Sequence, residues 1–241
     1  MTAAELHVRS AEMEAWSPDR ILAWAAGAGP KVAFSTGFGA EGCAIVHLIA
    51  SARLPIEVFT LDTGVLFPET YALWEALEDK YGLSIRAVRP AQTIEEQAAS
   101  FGPALWERDP DECCRLRKLE PLAHVLRDVD VWITAIRRDQ TPERAAAPVA
   151  ERDEEHGLLK VNPLVRWTMK DVWRFLHAND VPYNPLHDAG YPSIGCQPCT
   201  TPVAAGEDPR AGRWRGHQKR ECGLHVEVQP VELRFRTPQV P

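Results

Sequence analysis

Short apolar runs alternate with helical segments over most of this 241-residue chain. The apolar runs predict buried strands at residues 31–35, 56–61, 84–88, 131–136 and 158–164. Helical segments lie between them and begin near residues 17, 40, 68, 93 and 168. Strands that alternate with helices favour a parallel sheet covered on both faces. We therefore predict an α/β fold built on an open, mostly parallel, doubly wound sheet.

Several of the predicted helices have recognisable ends. Thr93 and Thr168 are each followed three residues later by an acidic residue, which is the spacing of a capping box. Pro68 and Gly82 stand at the start and the end of another helix, as the preferences of these residues predict. After residue 181 the periodicity disappears, and Pro, Gly and Arg predominate. A segment of that length without regular structure is either functional or disordered.

Composition restricts the class of protein. The formal charge of −7 argues against general nucleic-acid binding. No apolar run is long enough to span a membrane, and the N-terminal segment lacks the apolar region of a signal peptide. We therefore predict a cytoplasmic protein, in which disulfides are disfavoured. The six cysteines then need another explanation, namely packing, metal binding or catalysis.

Four cysteines occur as two close pairs. Cys113 and Cys114 are adjacent, and Cys196 and Cys199 form a C-x-x-C. Zinc is one ion that these cysteines could bind. A 4Fe–4S cluster is the other, since it offers a different iron to each of two neighbouring thiolates. Alternatively, the adjacent pair packs within a helix and the C-x-x-C is a redox dithiol. Cys43 lies in an apolar helix and is predicted to be a core residue.

The last cysteine, Cys222, has polar surroundings, in "RECGLH" at residues 220–225. A cysteine that packs in a core normally has apolar neighbours in sequence as well. This thiol is therefore predicted to be accessible.

Two predicted strands end in turns suited to a ligand. The first turn, "STGFGAEG", contains Ser35, Thr36 and Gly37, and it would expose backbone N–H groups at a helix N-terminus. The second, "LDTG" at residues 61–64, places Asp62 at the edge of the sheet where ligands usually bind. Each has a simpler interpretation. Glycine and serine are common in such turns for steric reasons, and Asp62 can cap the next helix.

Basic residues are concentrated at strand ends and in one loop. Lys118 follows the adjacent cysteines by one turn, and Arg210 and Arg213 lie close together in the irregular segment. The segment after the fourth predicted strand contributes Arg137, Arg138 and Arg144. Guanidinium groups suit phosphate and sulfate oxygens. The alternative is that these are solvated surface arginines.

Taken together, these motifs resemble the assimilatory sulfonucleotide reductases, and specifically the iron–sulfur-containing adenylylsulfate reductases. The resemblance extends from residue 35 to residue 225. It rests on the motifs "STGFGAEG", "LDTG", "CCRLRKLEPL", "ITAIRRDQTPER", "NPL", "YPSIGCQPCT", "GEDPRAGRW" and "ECGLH".

This resemblance implies a fold of the adenine-nucleotide alpha-hydrolase type with a modified pyrophosphate loop. It implies a 4Fe–4S cluster on Cys113, Cys114, Cys196 and Cys199. It also implies that Cys222 is the catalytic nucleophile and that thioredoxin is the electron donor. The four paired cysteines favour adenylylsulfate as substrate, and the alternative is a 3′-phosphoadenylylsulfate or dual-substrate reductase.

The implied reaction assigns a role to each candidate residue. Cys222 would form an S-sulfonate and release AMP, with Lys219, Arg220 and His225 favouring its thiolate. The expected substrate-binding residues are Ser35, Thr36, Gly37, Leu61, Asp62, Thr63, Gly64, Lys118, Arg137, Arg210 and Arg213. Residues 1–199 would form the nucleotide-binding domain, with the cluster, and residues 200–241 a lid that carries Cys222. A homo-oligomer is compatible with the sequence.

Two other classes compete with this interpretation. One is a zinc-stabilised nucleotide-binding or tRNA-modifying protein of the same fold. Its S-G-G-x-D-S loop is absent from this sequence. The other is a non-catalytic, sulfur-responsive binding module, which the "ECGLH" tail disfavours.

Overall fold

One sheet organises the chain, for which a computed structural model describes residues 1–219 and 221–224. Within these residues the sheet has six strands in the order β3-β2-β1-β4-β6-β5. All neighbouring pairs are parallel except β5 with β6. The strands are β1 Val32–Thr36, β2 Glu57–Leu61, β3 Ile85–Val88, β4 Val131–Ile133, β5 Ala150–Asp153 and β6 Leu158–Val161. The predicted α/β class and mostly parallel sheet are confirmed.

The helices start and end largely where their capping residues predict. Thr93 and Thr168 each form a complete capping box. Gly82 ends its helix in the left-handed conformation, with φ 60°. The α-helices are α1 Ala3–Met13, α2 Pro18–Ala26, α3 Ala40–Ser51, α4 Pro68–Tyr81, α5 Ile94–Phe101, α6 Leu105–Arg108, α7 Pro110–Cys114, α8 Glu120–Leu126 and α9 Met169–Ala178.

Apolar side chains cover both faces of the sheet. Phe34 and Ile133 belong to the larger core cluster, which also contains residues of α2, α3, α4 and α9. Ala33 and Trp132, which point to the opposite face, pack in a smaller cluster with Leu122 of α8. Successive residues of a strand point to opposite faces, so strands buried on both sides are apolar throughout. The sheet is therefore doubly wound.

Two elements lie outside the predicted alternation. β5 is a four-residue antiparallel edge strand of mixed polarity, too short for a periodic pattern to reveal. α1 packs beside it, and the Ala150 backbone N–H donates to Ser10 Oγ at 3.0 Å. Both elements are stabilised by contacts with parts of the chain that are distant in sequence or in a neighbouring strand.

The strand order reverses at β1 and β4, whose carboxyl ends open a crevice in folds of this type. Cys196 approaches this edge through an isolated bridge with Leu66, and Thr200 forms a second isolated bridge with Arg213. The division at residue 199 into a domain and a lid stays a prediction. Arg220 and His225 lie outside the described residues.

Across the described ranges, every helix lacks the length and apolar character required to cross a membrane.

The capping box of α9 gives a test of the fold. Thr168 Oγ1 accepts from the Asp171 backbone N–H at 3.2 Å. Thr168→Ala should lower the free energy of unfolding by about 1 kcal/mol, because a helix N–H loses its acceptor. Urea denaturation measures the change. Thr168→Ser keeps the hydroxyl and should retain most of the stability, and equal losses in both variants would contradict this role.

Candidate active site

A cavity of ≈ 430 Å³ lies at the carboxyl ends of β1 and β4 and is next to a smaller one of ≈ 190 Å³. Ser35, Gly37, Ile194, Arg213 and Cys222 line both. Predicted site residues from distant parts of the sequence therefore meet in one cleft.

The turn after β1 presents backbone to this cleft. Ser35 Oγ accepts from Trp132 Nε1 at 2.8 Å, and Thr36 Oγ1 accepts from the Phe38 backbone N–H at 3.1 Å. Phe38 is buried in the left-handed conformation, with φ 58°. A Cβ added at Gly37 would meet no atom within 4 Å. The side-chain bonds fix the turn, and Gly37 leaves open space for a ligand.

The turn after β2 is held by the buried carboxylate of Asp62. It accepts from Tyr71 Oη at 2.7 Å, Arg89 Nε at 3.0 Å and the Gly64 backbone N–H at 3.1 Å. Gly64 has a φ of 73°, which favours glycine. Asp62 and Gly64 therefore shape the turn.

Thr63 joins this turn to both cysteine segments. Its carbonyl oxygen accepts from Arg117 Nε at 2.5 Å, and its Oγ1 lies 3.3 Å from Cys196 Sγ. Leu61 and Thr63 line the smaller cavity. Arg117 is 4% exposed and was not among the predicted site residues. Its place between the cysteine pair and Lys118, in "CCRLRK", is a signal that could have identified it.

The four paired cysteines come together although they lie far apart in sequence. Cys113 and Cys114 end α7, and the π-helical turn Arg115–Leu119 follows them. Burial, followed by the charge of neighbouring sulfurs, raises the pKa of Cys113 to about 11. The same causes raise the pKa of Cys199 to about 12, with Cys196 as the strongest neighbour. These sulfurs are therefore close enough to influence one another's ionisation.

The buried ammonium group of Lys118 balances these sulfurs. Burial opposes its charge, but Cys196, Cys114 and Cys222 hold the pKa of Lys118 above its ordinary value. Burial also opposes ionisation of Cys196, yet Lys118 and the hydrogen bond from Thr63 hold its pKa below the ordinary value. The site thus favours a charged Lys118–Cys196 pair.

The donor set consists of cysteines alone, which is the ligand chemistry of a 4Fe–4S cluster. Among the described residues, no three His, Cys, Asp or Glu side chains are arranged to hold one metal ion. A 4Fe–4S cluster does not require such convergence, because each of its four thiolate ligands binds a different iron. Cys113, Cys114 and Cys196 are buried, Cys199 is partly exposed, and all four are free thiols.

Cys43 lies apart from this group, in α3. It is fully buried, and its Sγ lies 3.9 Å from the Phe38 carbonyl oxygen. Burial raises its pKa to about 12. Its prediction as a core residue is confirmed.

Arg210 and Arg213 both line the larger cavity. Arg213 Nη1 donates to Ser193 Oγ at 3.3 Å, and its guanidinium carbon lies 4.6 Å from the ring centroid of Trp214. Arg210 Nη2 donates to Glu221 Oε2 at 3.2 Å. Both cations are thus oriented by neighbours at the edge of the cleft.

Arg137 and Arg144 differ in their capacity for a ligand. Arg137 is 2% exposed, donates from Nε to Glu41 Oε1 at 2.9 Å and pairs with Asp139. The Arg144 side chain is 9% exposed, also lines the cavity and donates from Nη2 to Glu221 Oε2 at 2.9 Å, and among the described residues its Nε has no hydrogen-bond partner. Both arginines thus line the cavity and pair with a carboxylate of the protein, and Arg144 keeps one further donor for an anion, while substrate binding by Arg137 stays a prediction. Both occur in "IRRDQTPER", so sequence did not distinguish them.

Contacts on either side hold half-buried Cys222 at this cleft. Lys219 pairs with Asp111 of α7. Leu224 packs against the smaller core cluster. The thiol is close enough to Lys118 for its charge to raise the pKa of that lysine.

Two glycines allow close approach between the loops around the cleft. A Cβ at Gly195 would lie 2.2 Å from Arg213 Nη2. A Cβ at Gly212 would lie 2.0 Å from the Thr201 carbonyl oxygen. The backbones of the two loops therefore fit together because position 212 lacks a side chain, whereas the missing side chain at position 195 leaves room for the end of the Arg213 side chain.

Comparisons with known proteins identify the sequences that this chain resembles. A family model described as the phosphoadenosine phosphosulfate reductase domain matches residues 31–202. The adenosine 5′-phosphosulfate reductase of Salinibacter ruber is 43% identical over 230 residues, which are 95% of this chain and 91% of that protein. Adenosine 5′-phosphosulfate reductase 1 of Bacillus subtilis is 46% identical over 85% of this chain and 89% of that protein.

Solved structures agree in fold. A phosphoadenylyl-sulfate reductase from Candida auris, in complex with phosphate, has a TM-score of 0.76 and 31% identity, over 83% of this chain and 98% of that one. An FMN adenylyltransferase from Candida glabrata has a TM-score of 0.52 and 17% identity, over 75% of this chain and 61% of that one. The second likeness concerns the fold alone.

Gly195→Ala tests whether Arg213 serves the cleft. The new methyl group would overlap the end of the Arg213 side chain, which can move while the backbone stays. We expect weaker binding of AMP, the nucleotide that the sequence resemblance implies, with little loss of stability. Calorimetry measures the affinity. In Gly27→Ala, the nearest atom would be 3.7 Å away, so binding should be unchanged. Wild-type affinity in Gly195→Ala would contradict the assignment.

Proposed function

Because the chain belongs to the phosphoadenosine phosphosulfate reductase family, we propose that it reduces adenylylsulfate to sulfite and AMP in sulfate assimilation, with thioredoxin as the electron donor. The names of the relatives support this substrate. The observation that carries the proposal is the position of Cys222, which lines the same cavity as Arg144, Arg210 and Arg213. A nucleophile beside several cations suits a substrate rich in negative charge.

The two turns at the sheet edge would bind the nucleotide. Gly37 leaves space over the turn after β1, and the backbone at the start of α3 suits an anion. Leu61 and Thr63 would contact the adenosine from the second turn, which Asp62 and Gly64 shape. Ser35 and Thr36 would hold the first turn in place.

The first step is attack of the Cys222 thiolate on the sulfur of the sulfate group. A bond forms between the Cys222 sulfur and the sulfate sulfur, and the bond from the sulfate sulfur to the bridging oxygen breaks. AMP leaves with the electron pair, and an S-sulfonate remains on Cys222. Lys118, Arg144, Arg210 and Arg213 would neutralise the charge that develops on AMP.

The second step returns Cys222 to a thiol. A thiolate of thioredoxin attacks the Cys222 sulfur, and sulfite leaves with the electron pair. The second thiol of thioredoxin resolves the mixed disulfide, so the two electrons come from its dithiol. Cys222 must therefore face the substrate first and a protein partner afterwards, which suits a position in a tail. A cytoplasmic setting would keep these thiols reduced.

Cys113, Cys114, Cys196 and Cys199 would hold a 4Fe–4S cluster. Their burial, mutual proximity and cysteine-only chemistry support this ligand set. When bound, the cluster would supply negative charge beside Lys118. Lys118 and Arg117 would then keep the cysteine segments in register with the nucleotide-binding turn.

A 3′-phosphoadenylylsulfate reductase is the second candidate. It is favoured by the name of the family model and by the structure from Candida auris. The ratio of kcat/KM for the two nucleotides, measured with thioredoxin, decides between them. A higher value for adenylylsulfate is expected.

The covalent intermediate gives the direct test of the function. After incubation with adenylylsulfate and no reductant, mass spectrometry should find a sulfonate on the Cys222 peptide. Cys222→Ser should lack it and make no sulfite, and deletion after Gly216 should abolish turnover while AMP binding persists. Sulfite formation by the truncated protein would show that another residue reacts.

The cluster has its own test. Protein purified without oxygen should be brown and absorb near ~400 nm. Cys114→Ser should lose this absorption, because a ligand is removed. Cys222→Ser should keep it, because that thiol lies outside the ligand set. A colourless, zinc-loaded wild type would overturn the cluster proposal.

A further inference from the structure

Glu221 places a carboxylate between two arginines of the cleft. Its Oε2 accepts from Arg144 Nη2 at 2.9 Å and from Arg210 Nη2 at 3.2 Å. The side chains of Glu221 and Arg144 are 13% and 9% exposed, so water screens this contact weakly. Since Glu221 directly precedes Cys222, the contact also fixes the position of the thiol.

This pairing leaves hydrogen-bonding capacity unused. Both arginines donate to one carboxylate oxygen, while the other, Oε1, is buried and has no hydrogen-bond partner within residues 1–219 and 221–224. Arg144 Nε is also buried without a partner in this part of the chain. Unsatisfied buried polar atoms cost free energy. A phosphate or sulfate group, with several terminal oxygens, could bind these donors more completely than Glu221 does.

The other attachments of the tail do not depend on this position. Lys219 pairs with Asp111, on the outer surface of α7. Leu224 packs against the smaller core cluster through apolar contacts, for which an anion does not compete. Displacing Glu221 would therefore free the Cys222 thiol to move while the flanking residues stay attached.

We propose that Glu221 is a positioning residue that occupies the Arg144–Arg210 anion position until a phosphate or sulfate group of the substrate displaces it. This inference rests on the proposed function, which assigns these arginines to the anionic groups of the nucleotide. Glu221 and the substrate then compete, and substrate entry itself releases the thiol from its resting position.

Glu221→Gln tests the competition in the full-length protein. The amide keeps the shape but removes the charge, so AMP should bind several-fold more tightly by calorimetry. Without any nucleotide, iodoacetamide should alkylate Cys222 faster than in the wild type, as followed on its peptide by mass spectrometry. Glu221→Asp keeps the charge and should partly restore slow alkylation.

The control is Glu207→Gln, which removes a carboxylate from the same irregular segment. Glu207 pairs with Arg215 and not with the cleft arginines, so both measurements should match the wild type. Unchanged AMP affinity and unchanged alkylation in Glu221→Gln would overturn the proposal. Absence of the S-sulfonate in the wild type would overturn the proposed function instead, since the alkylation rate requires neither nucleotide nor reductant.

Discussion

The reversal of strand order between β1 and β4 is the constraint on which the site depends. The connections that follow these two strands lead to opposite sides, and a crevice opens between them. Because the strands are parallel, their carboxyl ends meet at one edge, and the turn after β2 lies there too. The cysteine loops and the described part of the tail then need only to reach that edge, and neither contributes a strand to the sheet.

Charge compensation determines what that edge can hold. Buried sulfurs would destabilise one another as thiolates, and Lys118 offsets this within the same small volume. Arg137 and Arg144 each pair with a carboxylate of the protein itself, and Arg144 Nε has no further partner among the described residues. A chain with a net charge of −7 thereby maintains a locally positive cleft.

Much of the fold could be predicted from sequence, because the strands are short apolar runs and the helices carry capping boxes. The cysteine pairs and Cys222 were also identifiable as candidates by spacing and context. The pairing of Arg144 with Glu221 and of Arg137 with Glu41 was not, since each contact joins residues far apart in sequence. Arg117 and Glu221 act through partners distant in sequence, Thr63 and Arg144, and local patterns do not reveal such contacts. β5 was missed because pairing with β6 defines it.

The close contacts at Gly195 and Gly212 have a consequence for how sequences of this kind can diverge. A side chain at position 195 collides with Arg213, and one at position 212 collides with the backbone of Thr201. Position 212 therefore cannot accept a side chain unless the backbone at Thr201 shifts, whereas position 195 can accept one only if the Arg213 side chain moves out of the cleft. The two loops should be inherited as a unit, and a chimaera that exchanges one without its counterpart should inherit a mismatch. At Gly206, by contrast, a Cβ would meet no atom within 4 Å, and the positive φ of 89° alone favours glycine there.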